Sequence, residues 1–162
     1  MKTLETRLEL SGKNVDDSEL ARALRPWTSW RHLLTRRLRI QTLKYVYLWD
    51  TAVTSDGLQL LEKFRLQWLD LSGWKHMDAI GAFRIGLLRS LRVLNLAKTA
   101  LLDDWLPCLK NLFKLDWLGL AETDVSRSAV RELRMWLPEP TIISPHGIHY
   151  GPNAGGMRFA LL

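Results

Sequence analysis

A single cysteine, Cys108, leaves this chain without any intramolecular disulfide framework, and no Asn-x-Ser/Thr glycosylation acceptor occurs in it. Both absences favour a reducing compartment over secretion. No apolar run approaches the roughly 18 residues that a bilayer-spanning helix needs. The opening Met1-Lys2-Thr3-Leu4-Glu5-Thr6 lacks the apolar core of a signal peptide. The expectation is an intracellular protein, of the cytoplasm or an organellar matrix, that does not span a membrane.

Signatures of catalysis are equally scarce. Neither Gly-x-Gly-x-x-Gly nor Gly-x-x-x-x-Gly-Lys is present, so no backbone cradle for a phosphate is visible. The histidines are His32, His76 and the pair His146 and His149, and the pair falls in a Gly/Pro-rich stretch whose spacing does not force both rings to one side. No metal site and no cofactor are expected from them. Cys108 lies between Pro107 and Leu109, where a structural thiol is the simpler reading than a nucleophile. Asp103-Asp104, Asp56 and Asp16-Asp17 all follow short strand patterns, so a turn or cap role accounts for all three without a catalytic dyad. The chain is read as a non-enzyme with no small-molecule substrate.

What the sequence does contain is a repeat. Leu88, Leu91, Leu94, Leu96, Thr99 and Leu101 are followed 24 positions later by Leu112, Leu115, Leu118, Leu120, Thr123 and Val125. In Leu94-Asn95-Leu96 and Leu118-Gly119-Leu120 the leucines alternate with other residues, so a short strand turns both leucines to one face and Asn95 or Gly119 to the other. Leu106 and Leu109 then suit a helical turn or an irregular arc. One such strand and arc cannot bury its apolar side alone. Stacked units bring equivalent leucines into columns and make a continuous core.

The pattern extends in both directions. Ile40, Leu43, Val46, Leu48, Thr51 and Val53 occupy the same six places, followed by Ser55-Asp56-Gly57-Leu58 as a turn. The next unit keeps Leu66, Leu69 and Leu71 but has Trp74 in place of threonine, and an extra residue is expected near His76-Met77. Spacings of 23, 25 and 24 separate Val46, Leu69, Leu94 and Leu118. Ile142, 24 after Leu118, marks Thr141-Ile142-Ile143 as the last strand, at an edge that tolerates Pro138 and Pro140.

This unit resembles a leucine-rich repeat, and the resemblance covers residues 40–143 well and residues 4–15 weakly. It implies an α/β solenoid, with a parallel inner sheet, helical or irregular outer arcs, and a binding role. Threonine stands where many family members place asparagine, and Ser55-Asp56-Gly57-Leu58 is similar to the turn of bacterial-type repeats.

With 162 residues, 47% of them hydrophobic and 25% charged, the chain is expected to form one domain. Residues 1–39 make an amino-terminal cap and a basic helical insertion, 40–143 the regular repeats, and 144–162 a carboxy-terminal tail or cap. In the first part, Leu8-Glu9-Leu10 reads as a partial unit with Val15 in its arc. Asp16-Asp17-Ser18 starts a helix that Arg25-Pro26 stops, and Thr28 caps a second helix carrying Trp30, Leu34 and Leu38 on one side. Ser144 to Gly156 is rich in glycine and proline and reads as turns or a tail, with Met157 to Leu162 folding over the open end of the core.

Two surfaces are candidates for binding. Residues that alternate with the strand leucines put Tyr45, Trp68, Val93, Trp117 and Thr141 in one column, Tyr47, Asp70, Asn95, Gly119 and Ile143 in a second, and Trp49, Ser72, Ala97 and Ala121 in a third. A protein partner is expected on Tyr45, Tyr47, Trp49, Trp68, Asp70, Asn95 and Trp117, with Asn95 on the open face, where its change to alanine should stay within about 0.5 kcal/mol. The bland alternative is that the insertion or the tail folds across these rings. The net charge of +6 and pI of about 9.8 draw attention to Arg31, Arg36, Arg37, Arg39 and Lys44. These could contact an acidic partner or a nucleic acid backbone, although a charge-rich helix is usually a solvated face. The reading is a non-catalytic protein-interaction module or structural subunit of a larger assembly; the alternative is a nucleic-acid-associated protein using the basic insertion.

Overall fold

The structure is a computed structural model that describes residues 6–28 and 43–149. The elements in chain order are β1 (Arg7–Glu9), α1 (Asp17–Thr28), β2 (Tyr45–Tyr47), α2 (Ser55–Leu58) running into a 3-10 turn (Gln59–Leu61), β3 (Trp68–Asp70), α3 (Ala79–Leu87), β4 (Val93–Asn95), a 3-10 segment (Asp103–Asn111), β5 (Trp117–Gly119), α4 (Arg127–Trp136), β6 (Thr141–Ser144) and β7 (Gly147–His149). The expected second helix with Trp30, Leu34 and Leu38, the basic residues Arg31, Arg36, Arg37 and Arg39, and the stretch 150–162 lie outside the described residues.

The fold is α/β. Seven strands form one sheet in the order β1 to β7, parallel from β1 to β6, with β7 antiparallel at the end. The register follows the repeat: Leu8, Val46, Leu69, Leu94, Leu118 and Ile142 stand opposite one another in a single row. Each strand is only three or four residues long, and the ladder continues past it through Leu48 N–H to Asp70 O, Leu71 N–H to Asn95 O and Leu96 N–H to Gly119 O at 2.8, 2.9 and 2.8 Å. Leucines on the inner side of the strands meet Leu20 and Leu24 of α1, Leu58, Leu61, Ile85, Leu106, Leu109, Val130 and Leu133 in one core. Each buried leucine contributes about 1.5–3 kcal/mol of transfer free energy.

Position three after each outer strand leucine is a second row. The hydroxyls of Thr51, Thr99 and Thr123 donate to the carbonyls of Leu48, Leu96 and Leu120 at 3.0, 2.7 and 2.7 Å, so three buried hydroxyls are satisfied by the turn they close. Trp74 holds the same place in its unit. It is fully buried, its backbone N–H donates to Leu71 O, and its indole N–H reaches the preceding unit and donates to Val53 O. Met77 is buried six positions after Leu71, whereas Val53, Leu101 and Val125 come five after Leu48, Leu96 and Leu120. The extra residue is therefore accommodated ahead of Met77, in the turn that Trp74 fills.

One residue before the threonine, or before the residue in its place, the chain turns through left-handed backbone after each of β1 to β5. Gly12, Asp50, Gly73, Lys98 and Glu122 have φ of 96°, 54°, 70°, 59° and 55°. Their strain is offset by a hydrogen-bonded ladder in which Gly12, Asp50, Gly73 and Lys98 N–H groups donate to Trp49, Ser72, Ala97 and Ala121 carbonyls.

Several sequence expectations change. Helix α1 passes through Pro26 and ends at Thr28, whose hydroxyl donates to Arg25 O, so Thr28 closes this helix. Pro26 lies in the last turn, where Trp27 packs against the core and outweighs the proline's local preference. Ser55-Asp56-Gly57-Leu58 is a one-turn helix capped by Thr54, which accepts from Asp56 N–H. β6 is not the edge strand: Ser144 to His149 form a hairpin that pairs β7 with β6. His146 is tied by its ring Nε2 to Val125 O at 2.8 Å.

Candidate functional site

Helices occupy one side of the sheet, and on the other the strand residues that alternate with the leucines form two rows fixed by the pairing. Arg7, Tyr45, Trp68, Val93, Trp117 and Thr141 stand opposite one another, as do Glu9, Tyr47, Asp70, Asn95, Gly119 and Ile143. The columns read from the sequence are those of the structure, and one more strand adds Arg7 and Glu9. These two were missed although Arg7 precedes Tyr45 by the same 38 residues that separate Leu8 from Val46.

The aromatic side chains group unevenly. Tyr45, Tyr47, Trp49 and Trp68 lie around β2 and β3, all half-buried. Tyr47 meets the Trp49 ring edge-on, with centroids 6.4 Å apart and planes at 82°, and inclines at 36° to Trp68 at 5.8 Å. Such pairs add about 0.5–1.5 kcal/mol beyond their burial. The Arg7 guanidinium stands over the Tyr47 ring, its Cζ 4.4 Å from the centroid, and pairs with Glu9 at 2.6 Å. Burial pushes the Tyr47 hydroxyl above its ordinary pKa; Arg7 opposes this and Asp70 adds to it. Tyr47 is therefore a neutral donor across the physiological range.

Trp117 is separated from this group by Val93 on β4. Its position depends on Gly119. A Cβ at Gly119 would fall 2.5 Å from the Trp117 ring carbon Cη2 and 2.6 Å from Asn95 Oδ1, so the bare backbone of Gly119 is the floor on which the indole rests.

Between the two aromatic positions lies a polar strip. Asp70 Oδ1 accepts from Ser72 N–H at 2.9 Å, and Asn95 donates from Nδ2 to Asp70 Oδ2 at 3.2 Å while its Oδ1 accepts from Ala97 N–H at 3.1 Å. Asn95 thus links the Asp70 side chain of β3 to the backbone just after β4, which gives a structural role to a residue expected to be nearly neutral to substitution. Among the described residues no cation pairs with Asp70.

Of the basic candidates, Lys44 is described. It is half-buried just ahead of β2, and its carbonyl accepts from Gln67 and Trp68 N–H at 2.8 and 3.0 Å. Other cations of the described chain serve pairs between units: Arg84 with Asp56 and Glu62, and Arg92 with Asp116. Arg84 is the most enclosed of these.

Carboxylates that follow the strands join successive units. Asp17 accepts from Thr54 N–H at 2.7 Å and from its hydroxyl, Asp78 from the Ser55 hydroxyl and Gly81 N–H at 2.6 and 2.7 Å, and Asp103 from Ser126 N–H at 2.7 Å. A cavity of ≈ 310 Å³ is lined by Thr54, Ser55, Asp56, His76, Met77, Asp78 and Ile80. Its carboxylate Asp78 is the N-cap of α3 and is engaged there. Among the described residues no group of three or more His, Cys, Asp or Glu could hold a metal ion. No helix among them is long and apolar enough to cross a membrane. No family model matches the chain, and no curated protein matches its sequence, so the reading of this face rests on its own residues.

Proposed function

We propose that this chain is a leucine-rich-repeat solenoid whose concave sheet face captures a protein partner without catalysing a reaction. The observation that supports this most is the in-register aromatic face: Tyr45, Tyr47, Trp49 and Trp68 grouped at one end, Trp117 at the other, with polar Asp70 and Asn95 between. Aromatic side chains set among polar groups are what interface hot spots are made of. The solenoid reading is supported by the row Leu8 to Ile142, the left-handed corners that follow β1 to β5 and the threonine turns of three units. On this reading the protein is an intracellular interaction module or a structural subunit of a larger assembly.

The test is capture from a native lysate by the wild-type protein and by Trp68→Ala and Trp117→Ala, each folded by its melting curve. The same proteins should bind the partner and release it in both variants. Wild-type capture by both variants would overturn the proposal. Recovery of nucleic acid instead, with retention that falls steeply as salt rises, would replace it with binding through the basic segment that holds Arg31, Arg36, Arg37 and Arg39.

A further inference from the structure

The charges along one edge of the sheet, where the outer arcs return to the strands, are used unevenly. Leu69, Leu94 and Leu118 pair in register, so the eight residues ahead of each occupy equivalent places. These stretches, 61–68, 86–93 and 110–117, hold six cations and two carboxylates. Both carboxylates are occupied, Glu62 by Arg84 of α3 at 2.9 Å and Asp116 by Arg92 at 3.0 Å. Lys63, Arg65, Arg89, Lys110 and Lys114 are left exposed, with no acidic partner among the described residues.

Apolar side chains stand among these cations. The turns Leu88–Leu91 and Leu112–Leu115 are each closed by a backbone hydrogen bond, at 3.0 and 2.9 Å, with buried leucines at both ends and Arg89-Ser90 or Phe113-Lys114 at the tip. Phe113 is 71% exposed beside Lys114, and Leu87 is 40% exposed two residues ahead of Arg89. In the β3 unit Phe64 holds the place of Phe113; it packs against the core, and Lys63 Nζ lies 5.5 Å from the centre of its ring. Neighbouring turns are tied together. Ser90 Oγ donates to Leu66 O at 2.7 Å, Arg92 N–H to Gln67 O at 2.8 Å and Asp116 N–H to Arg92 O at 2.7 Å. The turns therefore advance along the edge with the strands, which lie about 4.8 Å apart.

We propose that this edge binds the surface of an anionic phospholipid membrane, with Phe113 inserted among the headgroups and Lys63, Arg65, Arg89, Lys110 and Lys114 set against their phosphates. The inference goes beyond the concave-face reading and uses a different surface. Long basic side chains around an exposed ring suit this boundary, since their stems lie along apolar material while their charged ends stay with the anions. Each Lys or Arg close to an anionic leaflet strengthens binding about fivefold, so five free cations supply a substantial attraction. A nucleic acid backbone would match the charge but leave Phe113 and Leu87 in water. An acidic protein would need a surface shaped to protruding turns, whereas a fluid bilayer adapts to them.

The test is sedimentation of the full chain with vesicles of phosphatidylcholine alone and of phosphatidylcholine and phosphatidylserine in equal parts. Binding should require the anionic lipid and weaken as salt rises. Phe113→Ser should weaken it about tenfold, and Phe113→Leu should restore most of the loss. The double variant Lys110→Ser, Lys114→Ser should lose about 25-fold, at about fivefold per cation. Lys75→Ser removes an exposed cation from the turn after β3, at the other end of the strand, and should change little. All these side chains are exposed, so each variant should melt with the wild type. Absence of wild-type binding to the anionic vesicles overturns the inference. Binding that survives both Phe113→Ser and the double lysine change also overturns it, by assigning the attraction to charge elsewhere in the chain. An equal loss in Lys75→Ser and the lysine variants would reduce the effect to net charge, and tighter binding to duplex RNA than to vesicles, unchanged by Phe113→Ser, would replace the membrane with nucleic acid.

Discussion

The carboxylate of Asp17, on the first turn of α1, accepts two hydrogen bonds from Thr54, one from its backbone N–H at 2.7 Å and one from its hydroxyl. Thr54 in turn caps α2, so a residue of the first unit fixes where the next unit's helix begins. Gly57 makes the approach feasible: a Cβ there would lie 2.1 Å from Asp17 Oδ1. Asp17→Ala removes an acceptor from both groups and should cost about 1–3 kcal/mol, read as a shift in the denaturant midpoint. Gly57→Ala should destabilise through the same junction, and the two changes combined should be less than additive. Full additivity would show that the contact does not couple them.

Leu118 is fully buried and pairs with Leu94 and Ile142 in the row that crosses the whole sheet. Leu118→Ala should cost about 2–5 kcal/mol through lost burial and the cavity left behind. A melting temperature equal to wild type would mean that the row is not the core of the stack. Asn95→Ala is the informative companion, because it leaves Ala97 N–H without its side-chain acceptor and Asp70 Oδ2 without the Asn95 donor. Its expected cost is about 1 kcal/mol, where a purely surface residue would give almost none.

Much of this fold is legible in the sequence because its dominant force repeats. Leucines recurring every 23 to 25 residues predict the strands and their register together, and once the register is set the composition of both faces follows. The corner backbone was not legible. Gly12 and Gly73 could suggest left-handed positions, but Asp50, Lys98 and Glu122 occupy equivalent ones and carry no common side-chain signal. Links between units were hidden for another reason: Asp17 meets Thr54 across 37 residues and Trp74 meets Val53 across 21, distances at which spacing alone identifies no partner. The hairpin at the end was masked by composition, because glycine and proline mark its turn but say nothing of the return strand.

Trp74 shows how one unit departs from the threonine turn without breaking the stack. Its ring lies against Gly81, where a Cβ would come 2.6 Å from ring carbon Cη2. Trp74→Phe keeps most of the bulk but leaves the Val53 carbonyl without its indole donor, at an expected cost of about 1–3 kcal/mol. Trp74→Thr should be worse despite restoring the residue type of the other units, because the hydroxyl cannot fill the indole's volume. Thermal denaturation of both variants checks the order.

Asp78 gives the junction between β2 and β3 units an acid sensitivity. Partial burial works to raise its pKa, but hydrogen bonds from the Ser55 hydroxyl and from Gly81 and Ile80 N–H outweigh that and hold it below its ordinary value, with His76 assisting. A carboxylate with a depressed folded-state pKa stabilises the fold fully above its unfolded pKa and loses that contribution as pH falls through the folded one. The stability gap between wild type and Asp78→Asn should therefore be constant at neutral pH and close on acidification below the ordinary aspartate range. A gap that widens in acid would contradict this assignment.

Gly119 separates the shape of the aromatic face from its chemistry. It is buried, its φ lies outside the left-handed range, and the atoms that an added Cβ would meet are the Trp117 ring carbon Cη2 at 2.5 Å, the Asn95 amide oxygen at 2.6 Å and the Trp117 ring carbon Cζ3 at 2.9 Å. Both neighbours are side chains, so the backbone can stay while the indole is displaced. Gly119→Ala should lower stability by about 1–2 kcal/mol, the range of a modest overpacking. It should also weaken partner capture as strongly as Trp117→Ala does, since a rigid ring held a fraction of an ångström out of place forfeits the close packing on which a hot spot depends. The measurement is capture by Gly119→Ala beside Trp117→Ala and the double variant. If Trp117 acts through its seat on Gly119, the double variant should be no weaker than either single one. Capture at wild-type strength by Gly119→Ala, with a displaced Trp117 indole signal, would show that the orientation of this ring does not matter to binding.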